Sequence, residues 1–456
     1  MANIPKVVEK VVNHEMCTGC GLCVFECPSK AIEMSWNESG FLVPKVVGEC
    51  DDNGRCLTVC PFNPVPEEGV KTEDELAEKF LAEDIHHHAK VGKYKGIYAG
   101  YANEYRLSSS SGGLATYVCS ELLEQGYVDH ILSVKESQSE GRYYEYAVSS
   151  SKKEIAASSK TRYYPVTLGT IFSELDKLEG KVAIVGVACF VKAIRLSQYK
   201  NPVLKEKIPF LIGIICGGLK SRFYTEYLAQ KAGASHGFQQ PQYRIKNVET
   251  SAGDYSFGCD DVKTHAHKTI RMKTVGDMWG TGLFKSNACD FCDDVTCELA
   301  DISLGDAWIK PYHLDGKGTN LVITRSHFAD GLMVQGIQQG KLSLENLNIE
   351  SLLLSQKGSF NHRHTGLSFR MRSAQKNGVM VAPKRFDQEK VSFDFKIVQK
   401  LRMNTRKKSL VLWEKYSNAS IFDEKMSFPL KKLKLATAFY HYKKAALNKL
   451  KLNRPQ

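Results

Sequence analysis

The sequence has no long apolar run: its two longest, Val182–Val191 and Ile208–Leu219, fall short of the ~20 residues a membrane span needs. Its first ten residues, MANIPKVVEK, hold no apolar h-region of a secretory signal, so a cytoplasmic location is expected. Neither G-x-G-x-x-G nor G-x-x-x-x-G-K-[ST] stands between a strand and a helix, which gives no support to a Rossmann or P-loop nucleotide site. Acidic residues are scarce in one place only. Residues 361–456 carry 23 Lys and Arg against 6 Asp and Glu, a local +17 within an overall +12, which leaves residues 1–360 mildly acidic at −5. That basic stretch has no aromatics interleaved in a nucleic-acid-binding pattern, so nucleic acid is not an expected partner. With 456 residues, 43% hydrophobic and 25% charged, the chain reads as an ordinary globular protein of roughly two to four domains.

Cysteine is what the chain has in plenty: fourteen, half of them in the first sixty residues. Cys17, Cys20, Cys23 and Cys27 precede Pro28 in the spacing C-x2-C-x2-C-x3-C-P, and Cys50, Cys56 and Cys60 precede Pro61. The second run repeats the first at an offset of 33, except that Asn53 stands where Cys20 predicts a fourth thiol. This is the bacterial ferredoxin signature, in which three close thiolates wrap one 4Fe-4S cube and the Cys before Pro reaches the other. One cluster is therefore expected on Cys17, Cys20, Cys23 and Cys60, and a second on Cys27, Cys50 and Cys56. The corner at Asn53 makes that second cluster either 3Fe-4S or a 4Fe-4S whose last iron is held by Asp51, Asp52, solvent or nothing from the chain. Zinc sites lack the Cys-Pro endings, and disulfides do not suit a reducing cytosol.

An acidic connector, roughly Val65–Gly92, follows; Asp74–Glu83 has helical periodicity, and His86–His88 is expected in a solvated loop. From Gly96 to about Asn320 the pattern is α/β: GIYAGYA as a strand, LATYVCSELLEQG as an amphipathic helix, strands at His130–Val134 and Tyr143–Ser149, then KVAIVGVACFVKAIRL as strand, small-residue turn and helix. IPFLIGIICGGL repeats that form, and ADISLGDAW is a further strand. Such alternation favours a mixed or parallel sheet with ligands at the strand C-terminal ends. Ser108–Gly113, SSSSGG, is either a phosphate cradle at a helix start or an over-provided N-cap. Four further thiols from three segments, Cys189, Cys216, Cys289 and Cys292, are candidates for one more 4Fe-4S site, with Cys297 a substitute or a bystander; Cys119 and Cys259 read as packing residues. Leu430–Leu452 alternates basic pairs with Leu, Ala, Phe and Tyr at helical spacing. It suits a helix packed on the domain, an anionic membrane surface or an acidic partner.

The serial order of the ferredoxin run, SSSSGG, SSKTRYYPV, VGVACFVKAIR, IGIICGGLKS and CDFCDDVTCELADISLGDAW resembles the beta subunit of coenzyme F-420-reducing hydrogenase and dehydrogenase, in the bacterial branch with its own ferredoxin domain. The resemblance spans about residues 10–330. It implies an iron–sulfur flavoenzyme, an oxidoreductase that moves electrons between a ferredoxin-like one-electron carrier and a small reducible substrate through 4Fe-4S clusters and FAD. It also implies that Ser110, Ser111, Gly112 and Gly113 cradle FAD phosphates, that Ser159, Lys160 and Arg162 lie at the flavin, and that Cys189, Cys216, Cys289 and Cys292 are the cysteines of the catalytic domain. The family's G-[TK]-P-C-Q is here Gly186–Phe190, GVACF, which loses the Pro and the Gln. An electron-transfer subunit without its own substrate chemistry, a deazaflavin oxidoreductase and a non-catalytic scaffold are the other readings. The expected architecture is α+β followed by α/β: a two-cluster ferredoxin-like unit at 1–65, a linker at 66–92, a FAD and iron–sulfur domain with a mixed sheet at 93–360, and a basic, mainly helical region at 361–456.

Overall fold

The computed structural model describes residues 3–139, 141–234 and 236–452, with side chains to 447; the last four residues of the basic region and the first two of the chain lie outside them. The repeat seen in the cysteine spacing is also a repeat of backbone conformation. Gly19 and Asp52 both take positive φ, as do Gly21 and Gly54, each pair 33 residues apart. Those two glycines start the matching one-turn helices Leu22–Phe25 and Arg55–Thr58. A hairpin of β1 (Ile32–Trp36) and β2 (Leu42–Val46) joins the halves.

The connector holds a helix at Glu73–Phe80, capped by the Thr72 hydroxyl. His86–His88, expected in a loop, is instead strand β3, paired antiparallel with β4 (Gly92–Tyr94). The alternation of a strand sends His87 to the face opposite His86 and His88, so the three imidazoles do not converge.

The main sheet is built from β5 (Gly96–Ala102), β6 (His130–Glu136), β7 (Tyr144–Ser149), β8 (Val182–Val187) and β9 (Phe210–Ile214). A separate antiparallel sheet of β10 (Phe238–Lys246), β11 (Tyr255–Asp261) and β12 (His267–Arg271), not foreseen in the sequence, is inserted before β13 (Ile302–Asp306), β14 (Asn320–Thr324) and β15 (Leu342–Asn346) complete the first. Strand order is β15-β5-β14-β13-β9-β8-β6-β7, with β13, β9, β8 and β6 mutually parallel and antiparallel strands at the flanks. The sheet is thus mixed, and it runs past Asn320. Its parallel centre is apolar on both faces, with Val182, Ala183, Ile184, Leu211, Ile212 and Ile302 inaccessible to solvent, as strands covered by helices on both sides require. Strand β8 passes straight into the helix Ala188–Lys200 with no intervening turn.

The basic region is mainly helical, and four of its cationic side chains are inside. Arg363, Arg370, Lys384 and Arg406 are buried against the core. The helix Phe393–Tyr416 seats Trp413 fully buried among Tyr227, Phe284 and Phe422, and the helix Ala419–Leu452 packs back along it.

Candidate functional site

Each run of the ferredoxin-like unit bends its backbone around its own sulfur. The Gly19 amide donates to Cys17 Sγ and the Asp52 amide to Cys50 Sγ, both at 3.4 Å, the same contact 33 residues apart. Burial pushes the Cys17 thiol up to about 12, with the neighbouring Cys20 adding to it. Burial also raises Cys23 and Cys60, and both are opposed further by charge on Cys20 and Cys17. Those four sulfurs therefore stand within electrostatic reach of one another. Cys56 is likewise raised, mainly by burial and then by Cys27 and Cys50. The fold brings the seven thiols of the two runs close enough to act on one another across the runs. Asn53 is engaged locally: its amide nitrogen donates to Asp51 Oδ2 at 2.6 Å, and its oxygen accepts from the Arg55 amide at 2.9 Å.

The core set assembles from the ends of separate elements. Cys189 lies in the first turn of the helix after β8, Cys216 follows β9, and Cys289 and Cys292 sit in the turn Ala288–Phe291 and just past it. Burial raises Cys189, and charge on Cys289, Cys292, Cys216 and then Cys20 raises it further, so these thiols stand within electrostatic reach of Cys189, which packs against the cluster that holds Cys20. Backbone amides again point at sulfur: Gly218 N to Cys216 Sγ at 3.2 Å, Leu219 N to Cys289 Sγ at 3.1 Å. Cys297 packs against β9, within electrostatic reach of Cys216 and Cys292. A Cβ on Gly213 of β9 would lie 2.6 Å from its Sγ, so it fills the space under the sheet. Among the described residues no three His, Cys, Asp or Glu side chains converge as ligands of a single metal ion. A cluster makes a different demand, because each of its irons takes one thiolate and the ligands stand apart around it. Its cations would also draw the protons off thiols that burial keeps neutral.

The serine loop lies at the same end of the sheet. Ser109 Oγ meets Ser159 Oγ at 2.6 Å, and Ser110 Oγ accepts from the Thr161 amide at 3.0 Å, so the fold brings 108–113 and 159–162 together. Ser111 donates to Asp306 Oδ1 at 2.6 Å. Gly112 is required here: a Cβ would come within 2.6 Å of the Gly100 carbonyl. Arg162 stacks on Tyr144 with 4.7 Å to the ring centre, and Lys160 is exposed beside it.

Two residues that the sequence did not single out join this loop. Register shifts in β10 and a positive φ at Arg244 turn Arg244 and Lys246 toward Ser110, with which they line a small concavity. Arg244 forks onto the Asp306 carboxylate, while its buried Nε has no partner. Lys246 is lowered to about 8, by burial first and then by Arg106, Arg244 and Lys160. Among the described residues Arg106 pairs with Asp315 and Arg244 with Asp306, and no ion pair holds Lys160, Arg162 or Lys246. The one further carboxylate lining the concavity, Asp254, is paired with Arg271 and Lys273, which leaves an excess of positive charge at the carboxyl end of the sheet. Nothing local in the sequence announces this pair, because only the bulges aim it.

A two-run ferredoxin-like unit set against a mixed α/β sheet, with a second thiol set and a polar, cationic crevice at its carboxyl end, defines an iron–sulfur α/β protein of the electron-transfer type. Family comparison narrows the class. The model "Coenzyme F420 hydrogenase/dehydrogenase, beta subunit N-term" matches residues 97–172 and its C-terminal counterpart residues 179–350, while a 4Fe-4S binding domain matches 10–33. The chain belongs to the family of coenzyme F420 hydrogenase/dehydrogenase beta subunits. One component of the F(420)H(2) dehydrogenase of Methanosarcina mazei is 22% identical over 67% of this chain and 80% of its own length. The coenzyme F420-dependent sulfite reductase of Methanocaldococcus jannaschii is 24% identical over 65% of this chain, which spans 43% of that relative. A chain of the F420-reducing [NiFe] hydrogenase complex from Methanosarcina barkeri superposes with a TM-score of 0.49 at 17% identity, covering 66% of this chain and 99% of that one.

Proposed function

We propose that the protein is an iron–sulfur flavoprotein oxidoreductase, passing electrons between a ferredoxin-like carrier and a reducible small molecule. The observation that carries this reading is the adjacency of Cys189 to both Cys20 and the other core thiols. Tyr146 packs in one buried cluster with Cys20, and Cys189 packs against that cluster. Cys17, Cys20, Cys23 and Cys60 would hold the first cluster, Cys27, Cys50 and Cys56 the second, and Cys189, Cys216, Cys289 and Cys292 the core cluster. Ser110, Ser111, Gly112 and Gly113, with Ser159, Lys160, Arg162, Arg244 and Lys246, fit the phosphates of FAD, since the crevice offers hydroxyls, a close backbone and unbalanced positive charge.

A bound flavin supplies the exchange between a two-electron substrate and one-electron carriers. The chain's own part is positional. The bulged strand sets Arg244 and Lys246 beside Ser110, where their charge would face the anion. Asp306 fixes Arg244 by two hydrogen bonds, at 2.5 and 3.0 Å, and the carbonyls of Arg106, Ser111 and Lys317 fix the Lys246 ammonium. Backbone amides donate to the cysteine sulfurs and stabilise their charged form. A second reading, in which the reducible molecule is a deazaflavin, is favoured by the names of the two relatives.

The helix Ala419–Leu452 extends this reading to location. It presents Phe428, Leu435, Phe439 and Tyr442 to solvent at near-helical spacing, flanked by exposed Lys431, Lys432, Lys434, Lys443 and Lys444. That composition fits an anionic lipid surface. Among the described residues no helix is long and apolar enough to cross a membrane, so the contact would be peripheral.

Anaerobically purified protein tests the central reading. It should show a flavin spectrum over a broad shoulder near ~400 nm, with FAD released on denaturation; iron below about four per chain would overturn the multi-cluster scheme. Flotation with anionic but not zwitterionic vesicles, lost on Phe439→Glu, tests the lipid contact.

A further inference from the structure

The loop that carries Cys289 and Cys292 is gripped from outside the region matched by the family models, which ends at residue 350. Arg370 Nε donates to the Asp290 carbonyl at 2.6 Å, and His364 Nε2 lies 2.8 Å from the Asp293 carbonyl. Lys384 pairs with the Asp293 carboxylate at 3.2 Å, and Arg406 with Asp290 at the same distance. One side chain does more than hold the loop. Arg363 Nη1 donates to the Asp294 carbonyl at 2.5 Å and stands 3.6 Å from Cys292 Sγ, while Nη2 donates to the Cys216 carbonyl. A single buried guanidinium thus ties two cysteine-bearing segments together and points at a ligand sulfur.

Its charge is also unspent. Lys384 and Arg385 are paired with Asp293, Arg385 with Glu298, and Lys285 and Arg406 with Asp290. The hydrogen bonds of Arg363 go to neutral carbonyls and to sulfur, and among the described residues no carboxylate forms an ion pair with it. A purely structural arginine would need only the carbonyls. Adding an electron to a cluster adds negative charge, and a fixed cation 3.6 Å from a ligand sulfur, out of water, stabilises the reduced form over the oxidised one.

We infer that Arg363 is a positioning residue that raises the reduction potential of the core cluster through the Cys292 sulfur. The inference rests on the core cluster proposed above. It gives the C-terminal region a role at the redox centre that its position outside the family match does not suggest.

EPR-monitored redox titration of the full-length protein tests it. Arg363→Met should shift the core-cluster reduction equilibrium tenfold toward the oxidised form, about 59 mV for a one-electron couple, with the N-terminal clusters unmoved. Arg363→Lys, which keeps the charge, should recover at least half of that shift. Full iron with an unchanged potential in Arg363→Met would overturn the inference. The wild-type protein gives an independent measurement in case the variant does not fold. With 15N-labelled arginine, pulsed EPR of the reduced core cluster should show a guanidinium nitrogen coupling, and its absence is equally fatal. A core signal that is missing altogether, with both N-terminal signals present, overturns the core cluster itself and this inference with it, whereas an unshifted core signal overturns only the role of Arg363.

Discussion

In the ferredoxin-like unit the leading thiol of each run is placed by its own neighbours. Gly19 and Asp52, then Gly21 and Gly54, repeat the same backbone turns, and the amides of Gly19 and Asp52 each point to the sulfur two residues before them. The core set is placed by residues remote in sequence. Cys189 and Cys216 stand where two parallel strands end, and the Cys289–Cys292 loop is held by side chains from residues 363 to 406. The same donor atoms are therefore organised once by local turns and once by tertiary packing. A local site costs little to order beyond its own turns, whereas the distributed one depends on the whole sheet and its C-terminal cover.

The sharpest way to break this comparison is to remove one thiol from each set. Cys289→Ser should abolish electron transfer from carrier to substrate, a loss of about a hundredfold or more if the core cluster is the sole route. EPR should show both N-terminal signals intact. Cys20→Ser should do the converse, removing one N-terminal signal and sparing the core. If Cys289→Ser kept full iron and full activity, the distributed set would be packing and nothing more.

A substitution far from any sulfur should also separate the two regions. Trp413 fills the aromatic cluster of Tyr227, Phe284 and Phe422, and Phe284 immediately precedes the segment leading to Cys289. Trp413→Ala should cost about 3–5 kcal/mol by denaturant unfolding. On partial unfolding the core iron should be released before the N-terminal iron; simultaneous release would show that the two regions are not independent in stability.

Smaller again is the effect of completing the repeat. Asn53→Cys replaces a side chain now spent on Asp51 and Arg55 with the thiol its counterpart Cys20 predicts. Iron analysis should find about one more iron per chain if the natural cluster is 3Fe-4S, with loss of the oxidised 3Fe EPR signal. Unchanged iron and unchanged spectra would mean that the corner is already filled.

Legibility in the sequence follows the same divide. The ferredoxin repeat, the strand Gly96–Ala102, the helix from Leu114 and the buried strands around Val182 and Phe210 are local patterns, and the structure has them. The antiparallel sheet from Phe238 to Arg271 escapes a sequence reading because its strands are short of apolar alternation and broken by bulges, as QQPQYRIK shows. Arg363 escapes it because its charge sits in a run that reads as solvated surface, and only the fold reveals that its guanidinium is buried. Arg244 and Lys246 escape it because a positive φ at an arginine, which no propensity favours, is what aims them.

Lys246 gives the finest test of the distributed crevice, because two of its consequences have opposite sign. Burial and the neighbouring cations hold its ammonium at about 8 in the folded chain against an ordinary 10.5. Between those values the unfolded chain binds a proton that the folded chain has released, so stability should rise with pH across that window. A diphosphate diester stays fully charged throughout, so its affinity follows the crevice lysines, Lys246 and the likewise lowered Lys160, and should fall as pH rises through about 8, by about tenfold once the Lys246 charge is gone. Titrating FAD onto flavin-depleted protein at pH 7 and pH 9.5 reads the second effect, and urea unfolding at the same two values reads the first. Lys246→Arg keeps its charge at both and should flatten the affinity change. If affinity were flat in the natural protein, Lys246 would be a strut for the three carbonyls it binds, those of Arg106, Ser111 and Lys317, and the anion would be held by the serine loop and the remaining cations.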